Sequence, residues 1–294
     1  MMKTRSGEQL ILGATLFAAL GWVASKQVIQ TMPAYGFIGL RFLLAGIVLL
    51  PLCYKDLRRT QPVTLLKALL VGSVLGVALL IWIYSISISE NLAEGAFIMS
   101  LAMLFAPLLA WPLYKQKPKR SFWMALPIAI VGMGLLSLTA SWQLATSQLL
   151  FLISALLLSF HFNLNKQLTQ YLKSLPLVCI QLFSIGLVGI VVSFFTEQWS
   201  TSFVDSHTLL WFGISVLFAT SLRYVLQTQG QKKVSTANAS VIMILEPVWT
   251  LLLAMVIFGE QLEPQKMLGC GFILLSLFMY RRWEQKLAMV QVSS

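Results

Sequence analysis

The sequence predicts an all-α membrane protein, with ten transmembrane helices built as two inverted five-helix repeats. Composition is the first observation behind this. Of 294 residues, 58% are hydrophobic and 11% charged, and mean hydropathy is +0.82, whereas a soluble domain carries about 25% charged residues. No water-soluble fold hides that much apolar surface, so the bilayer is the solvent. The second observation is that basic and acidic connections alternate along the chain. The third is a pattern that returns after 140 positions.

Ten apolar runs approach the roughly 20 residues that cross a hydrocarbon core. They cover residues 9–29, 35–54, 65–85, 93–114, 122–138, 147–165, 177–195, 208–228, 236–258 and 267–283. Turn and stop signals lie between them: Thr31-Met32-Pro33, Gln61-Pro62, Lys117-Pro118, Leu175-Pro176 and Glu263-Pro264. The first run has the basic start and the Val23-Ala24-Ser25 segment of a cleavable signal. It continues past Lys26 through Val28 and Ile29, however, and so reads as a span.

A net charge of +11 and a pI near 9.8 raise the question of nucleic acid, and placement answers it. The basic clusters are Lys3/Arg5, Lys55/Arg58/Arg59/Lys67, Lys115/Lys117/Lys119/Arg120, Lys166/Lys173, Lys232/Lys233 and Arg281/Arg282/Lys286, one at every second connection. The connections between carry Glu90 and Glu94, Glu197 and Asp205, and Glu260 and Glu263. Of 21 Lys and Arg, only Lys26, Arg41, Arg223 and Lys266 fall elsewhere, which leaves 17 on one side. By the positive-inside rule that side is the cytoplasm, both termini lie there, and the chain is a multi-pass protein of the cell (inner) membrane. Lipid headgroups, not nucleic acid, are the partners of these loops.

Five spans per half force the second half, residues 141–294, to enter the membrane inverted relative to residues 1–140. Ala106-Pro107 corresponds to Glu246-Pro247, and Leu136-Ser137-Leu138 to Leu275-Ser276-Leu277. Inverted repeats that exchange conformations around a midplane site are a transporter architecture.

The chain resembles the drug/metabolite transporter superfamily, in particular its EamA-type ten-helix members. The residues that carry the resemblance are Leu40-Arg41-Phe42-Leu43-Leu44-Ala45, Leu226-Gln227-Thr228-Gln229-Gly230-Gln231, Leu245-Glu246-Pro247-Val248 and Gly259-Glu260-Gln261-Leu262, in that order. Two departures bear on substrate class and not on fold. Ala18-Ala19 stands where the family carries a Trp-Gly pair, and Lys115 to Arg120 replaces a Gly-Glu turn in the first half. The resemblance implies export or exchange of small metabolites, such as amino acids or related amphipathic compounds.

An ionisable group inside a span is costly unless paired or hydrated, which makes it a candidate for function. Glu246 lies about eleven residues into the ninth run, roughly 16 Å along a helix. A carboxyl at that depth can take up and release a proton, and Pro247 after it frees a backbone carbonyl. A structural ion pair is the alternative. Arg223, read as about six residues from the inner end of its span, is a partner for Glu246, a substrate-carboxylate ligand or a group snorkelling to lipid. His161 lines the inner half of a cavity or packs there. Arg41, which matches the family pattern, and Lys26 sit near the outer interface, where snorkelling accounts for both. Trp22, Trp82, Tyr84, Tyr224 and Trp249 are candidate cavity walls.

There is no GxxxxGK[ST] loop and no HExxH, so hydrolysis of nucleotide or peptide is not expected and a gradient must supply energy. Cys53, Cys179 and Cys270 lie in separate runs without CxxC spacing and read as packing residues, giving neither disulfide nor metal site. The expectation is a secondary transporter with a small-molecule substrate, no cofactor, a proton as candidate coupling ion, and a monomeric or homodimeric state. An intramembrane enzyme and a passive channel are the alternatives.

Overall fold

The computed structural model describes residues 2–89, 92–137, 145–199, 205–259 and 264–293. Every element among them is helical: α1 (Met2–Val28), α2 (Ala34–Arg58), α3 (Pro62–Ser87), α4 (Leu92–Tyr114), α5 (Arg120–Ser137), α6 (Thr146–Leu168), α7 (Ser174–Thr196), α8 (Ser206–Val216), α9 (Arg223–Lys233), α10 (Thr236–Met243), α11 (Glu246–Phe258) and α12 (Pro264–Ser293). A π-helical segment, Leu217–Leu222, joins α8 to α9. Glu90, Glu260, Gln261, Leu262, Glu263 and the boundary near residue 140 lie outside the described residues. So do the side chains of Lys3, Arg5, Glu94, Lys266, Arg281 and Lys286.

Eight stretches are long and apolar enough to cross a membrane: Ser6–Val28, Ala34–Arg58, Pro62–Ser87, Gly95–Tyr114, Thr146–Leu168, Ser174–Thr196, Ser206–Lys233 and Asn238–Phe258. The fifth and tenth expected spans contain shorter apolar segments, Arg120–Gly132 and Met267–Tyr280. Helices run past the apolar stretches into the basic connections, with Lys55 and Arg58 in the last turn of α2 and Lys232 and Lys233 in that of α9. Cations there meet the negative end of the helix dipole. Pro176, expected as a stop, stands inside the first turn of α7, where no backbone N–H is needed.

Inside lipid the hydrophobic effect does not drive helices together, and close packing has to. The most extensive pair is α2 against α7, running antiparallel. A Cβ on Gly39 would fall 2.7 Å from Ile190 N, and one on Gly186 would fall 2.7 Å from Leu43 N. On Gly46 it would meet the Phe183 ring at 3.2 Å. Residues 43 and 183, like 46 and 186, are 140 apart, so Gly46 on Phe183 and Gly186 on Leu43 are one contact with its members exchanged. Helix α5 lies along α12, where the Ser276 hydroxyl donates to Ala125 O at 3.0 Å. Helix α1 packs on α8, the π segment and α9, as α3 packs on α6. It also touches α10 and α11, as α6 touches α4.

The two ends of the bundle differ in charge. At the acidic end, the Glu197 carboxylate accepts the Tyr35 and Gly36 amides at 2.8 and 2.9 Å, capping the positive end of α2. Asp205 caps α8 by accepting Thr208 N at 3.0 Å, and hydrogen bonds from the Thr208 side chain and backbone hold its carboxyl below the ordinary range. Gly259 ends α11 in the left-handed region (φ 66°), which explains the glycine of that turn. At the basic end, Lys173 pairs with Asp56 at 2.9 Å.

Candidate functional site

The ninth expected span is not one helix. Pro247 has no N–H for the Met243 carbonyl, so the chain turns at Ile244 and Leu245 and restarts at Glu246 with Pro247 in the first turn of α11. This break sets the Glu246 carboxylate at the positive end of α11. Two side chains meet it there. The Trp22 indole N–H donates to Glu246 Oε1 at 3.0 Å, and Arg223 Nη2 stands 3.8 Å from Oε2. Helix N-terminus, indole and guanidinium thus surround the carboxylate with donors.

The ion pair is loose. At 3.8 Å it is too long for a hydrogen bond, Arg223 Nε has no partner among the described residues, and the guanidinium lies 4.6 Å from the Tyr224 ring. Donors therefore remain for a second anion. Arg223 stands ten residues before Lys233, deeper than the shorter span read from the sequence implied, because α9 continues through the polar segment after Thr228. Snorkelling is not its role here: its side chain is 13% exposed and points at Glu246.

Arg41 is also not a snorkelling residue. It is buried, and its guanidinium donates to Thr220 Oγ1 (2.6 Å), Ser25 Oγ (2.9 Å) and Ala219 O (3.2 Å). The π segment creates this socket. Thr220 and Ser221 bond back to the carbonyls of Ser215 and Val216, five residues earlier, and the widened turn presents Ala219 and Thr220 to α2. Arg41 thereby ties α1, α2 and the α8–α9 rod together at one wall of the site.

These groups line a central cavity with Phe42, Trp82, Met99, Ser100, Met103, Tyr224 and Pro247. Trp22 packs edge-on against Trp82 at 5.0 Å and lies 5.8 Å from Phe151, and Phe42 meets Tyr224 at 5.8 Å. The result is one carboxylate and two guanidiniums, that of Arg41 bonded into its socket and that of Arg223 facing Glu246, in an aromatic and thioether lining. About 50 Å³ is open to the centres of water molecules, room for a few waters and well short of a metabolite.

Of the residues expected from sequence, Glu246, Arg223, Pro247, Arg41, Trp22, Trp82 and Tyr224 converge on this cavity. Tyr84 does not. It stacks on Tyr35 at 6.5 Å and is half-exposed, two positions beyond Trp82 and on the other face of α3. Trp249 donates to Thr15 Oγ1 at 3.2 Å, away from the lining. His161 is buried below the cavity and is not part of its wall. Lys26 faces the Phe258 ring at 5.0 Å. The sequence reading missed Phe42 as a wall and the three methionines Met99, Met103 and Met243, whose contribution only helix packing reveals.

The EamA-like transporter family model matches the chain twice, over residues 5–138 and 145–282. A Clostridium kluyveri protein described as an uncharacterized transporter is 22% identical over 290 residues, covering 92% of this chain and 91% of that one. A second so described, from Archaeoglobus fulgidus, is 24% identical over 278 residues, covering 90% and 83%. An S-adenosylmethionine/S-adenosylhomocysteine transporter of Chlamydia muridarum is 24% identical over 139 residues, 46% of this chain and 44% of that one. A solved crystal structure superposes with a TM-score of 0.73 at 13% identity, covering 94% and 97%, a likeness that speaks for the fold alone. With the family model accounting for nearly the whole length, the chain belongs to the EamA-like transporter family.

Proposed function

We propose that the chain is a ten-span secondary transporter, built of two inverted five-helix repeats with both termini in the cytoplasm. It exports or exchanges small zwitterionic metabolites of the amino-acid type by alternating access. The observation that carries this reading is the Glu246–Arg223 pair in an aromatic cavity within the bundle. A loose pair of opposite charges offers a zwitterion a carboxylate for its ammonium and a guanidinium for its carboxylate, with Trp22, Trp82 and Tyr224 against its apolar part. The relative named for S-adenosylmethionine, an amino-acid derivative, lies in the same chemical class.

Support for inverted repeats comes from the exchanged contacts between α2 and α7, the twofold match of the family model and the matched packing of α1 and α6. Two-fold exchange gives two conformations of similar energy, as alternating access requires. Glu246 is the site of proton coupling in this reading, since its counterpart Ala106 carries no charge. A channel would need a continuous open path, and a cavity with room for only a few waters speaks against one.

The test is uptake of labelled amino acids and adenosyl amino-acid derivatives into proteoliposomes, with and without a pH gradient. Saturable uptake that accelerates with counter-substrate supports the reading. Non-saturable flux for every solute points to a channel, and chemical conversion of a solute points to an enzyme.

A further inference from the structure

Below the cavity, toward the basic end, the bundle holds a ladder of buried polar side chains that neither the ion pair nor the cavity wall uses. Helices α6 and α9 run the same way, and Asn165 Nδ2 donates to Gln231 Oε1 at 2.6 Å. One turn up from that bond, His161 stands level with Gln227, and one turn further Leu158 and Arg223 line the cavity. Arg223, Gln227 and Gln231 are thus one stripe of α9, four residues apart. Gln181 of α7 closes the third side by donating to Asn165 Oδ1 at 3.1 Å. It approaches His161 without a hydrogen bond of acceptable geometry.

His161, Asn165, Gln181, Gln227 and Gln231 are each at most 3% exposed. Both ring nitrogens of His161, Gln227 Oε1 and Gln231 Nε2 nevertheless have no partner among the described residues. Burying several such groups unpaired inside the bundle is costly, and a packing role would be served better by apolar side chains. At the foot of the ladder, Lys166 donates to the carbonyls of Gln231 and, at 2.7 Å, of Val234, the last turn of α9.

We propose that this ladder is the closed arm of the transport path leading from the cavity to the basic end, with Lys166 as its latch. When α9 parts from α6, His161, Gln227 and Gln231 face water and carry the polar groups of the substrate past the apolar bundle. This inference rests on the transporter reading, but the test below requires no transport.

Gln227→Cys is placed in a background with Cys53→Ala, Cys179→Ala and Cys270→Ala, and treated with a membrane-impermeant methanethiosulfonate from each side of the vesicle in turn. Lys173→Cys, whose native side chain is 73% exposed, identifies the basic side. Leu187→Cys, on the lipid-facing surface of α7, controls for entry through lipid. Adding Lys166→Met, which removes both hydrogen bonds of the ammonium, should speed labelling of Gln227→Cys from the basic side by about tenfold or more, the shift given by even one charge-assisted hydrogen bond. His161→Cys on the facing wall should respond in the same way. Should either cysteine variant fail to run as a single species on size exclusion, the other decides. Labelling that Lys166→Met leaves unchanged, or labelling only from the opposite side, overturns the ladder as a path even if the protein transports. Labelling as expected, from a protein that moves no solute, upholds the path and removes the function.

Discussion

The Trp22 indole N–H and the Glu246 carboxylate meet at 3.0 Å, joining α1 to the break between α10 and α11 across 224 residues of sequence. The bond orients the carboxylate toward the cavity and leaves its second oxygen for Arg223. Trp22→Phe keeps the packing on Trp82 and removes the donor. It should lower stability by about 1 to 2 kcal/mol, the cost of depriving a partly buried acceptor. The change in thermal melting in detergent is the measure, and an unchanged melt would mean that water replaces the indole at no cost.

Arg223 and Glu246 should not behave independently. In a double-mutant cycle, Arg223→Gln and Glu246→Gln singly should each leave a charge without its counterpart, at about 3 kcal/mol or somewhat less given partial exposure. The double variant should lose less than the sum. Additive losses would assign Arg223 to substrate or lipid instead of the pair.

Most of the fold was legible because the bilayer imposes a length and a polarity on every crossing. The run from Leu65 to Ser85 needs no structure to be read as a span. Charges at Glu246 and Arg223 stood out because lipid makes them expensive, so the centre of the site was legible too. What surrounds it was not. Trp22 and Tyr84 look alike in sequence, and only the rotation of α1 and α3 sends one to the cavity and the other to Tyr35. Arg41 was visible, but its socket depends on the π segment, which no residue pattern announces. The break at Ile244 follows from Pro247, whereas Pro107, its counterpart, stands inside an unbroken α4.

Helix pairing in lipid should tolerate added atoms only where there is room. Gly39→Ala places a Cβ only 2.7 Å from Ile190 N and should lower the melting temperature by separating α2 from α7. Gly213→Ala, with nothing within 4 Å, should be neutral or stabilise by up to about 1 kcal/mol. Equal effects of the two would show that α2 and α7 are not packed backbone to backbone.

The Asp205 cap should show in the acid limb of stability. Its carboxyl is held below the ordinary range when folded, so its contribution is complete above the unfolded value and is lost as pH falls through the folded one. The melting difference between the wild type and Asp205→Asn should be constant above about pH 5 and shrink below about pH 4. A difference that grows on acidification would contradict the cap.

Reporter fusions test the orientation. Fusions at Arg58 and after Ser294 should read cytoplasmic and one at Ser202 external, as the basic connections require. A C-terminus found outside would demand an odd number of spans.

The central claim, that a charged pair in the cavity couples transport to a proton gradient, is tested most directly by Glu246→Gln in proteoliposomes. The variant should fold and insert but lose accumulation driven by the pH gradient, and any exchange it retains should be weakened by loss of the carboxylate that holds the ammonium. Accumulation with unchanged pH dependence would contradict the account and leave Glu246 a structural partner of Trp22 and Arg223.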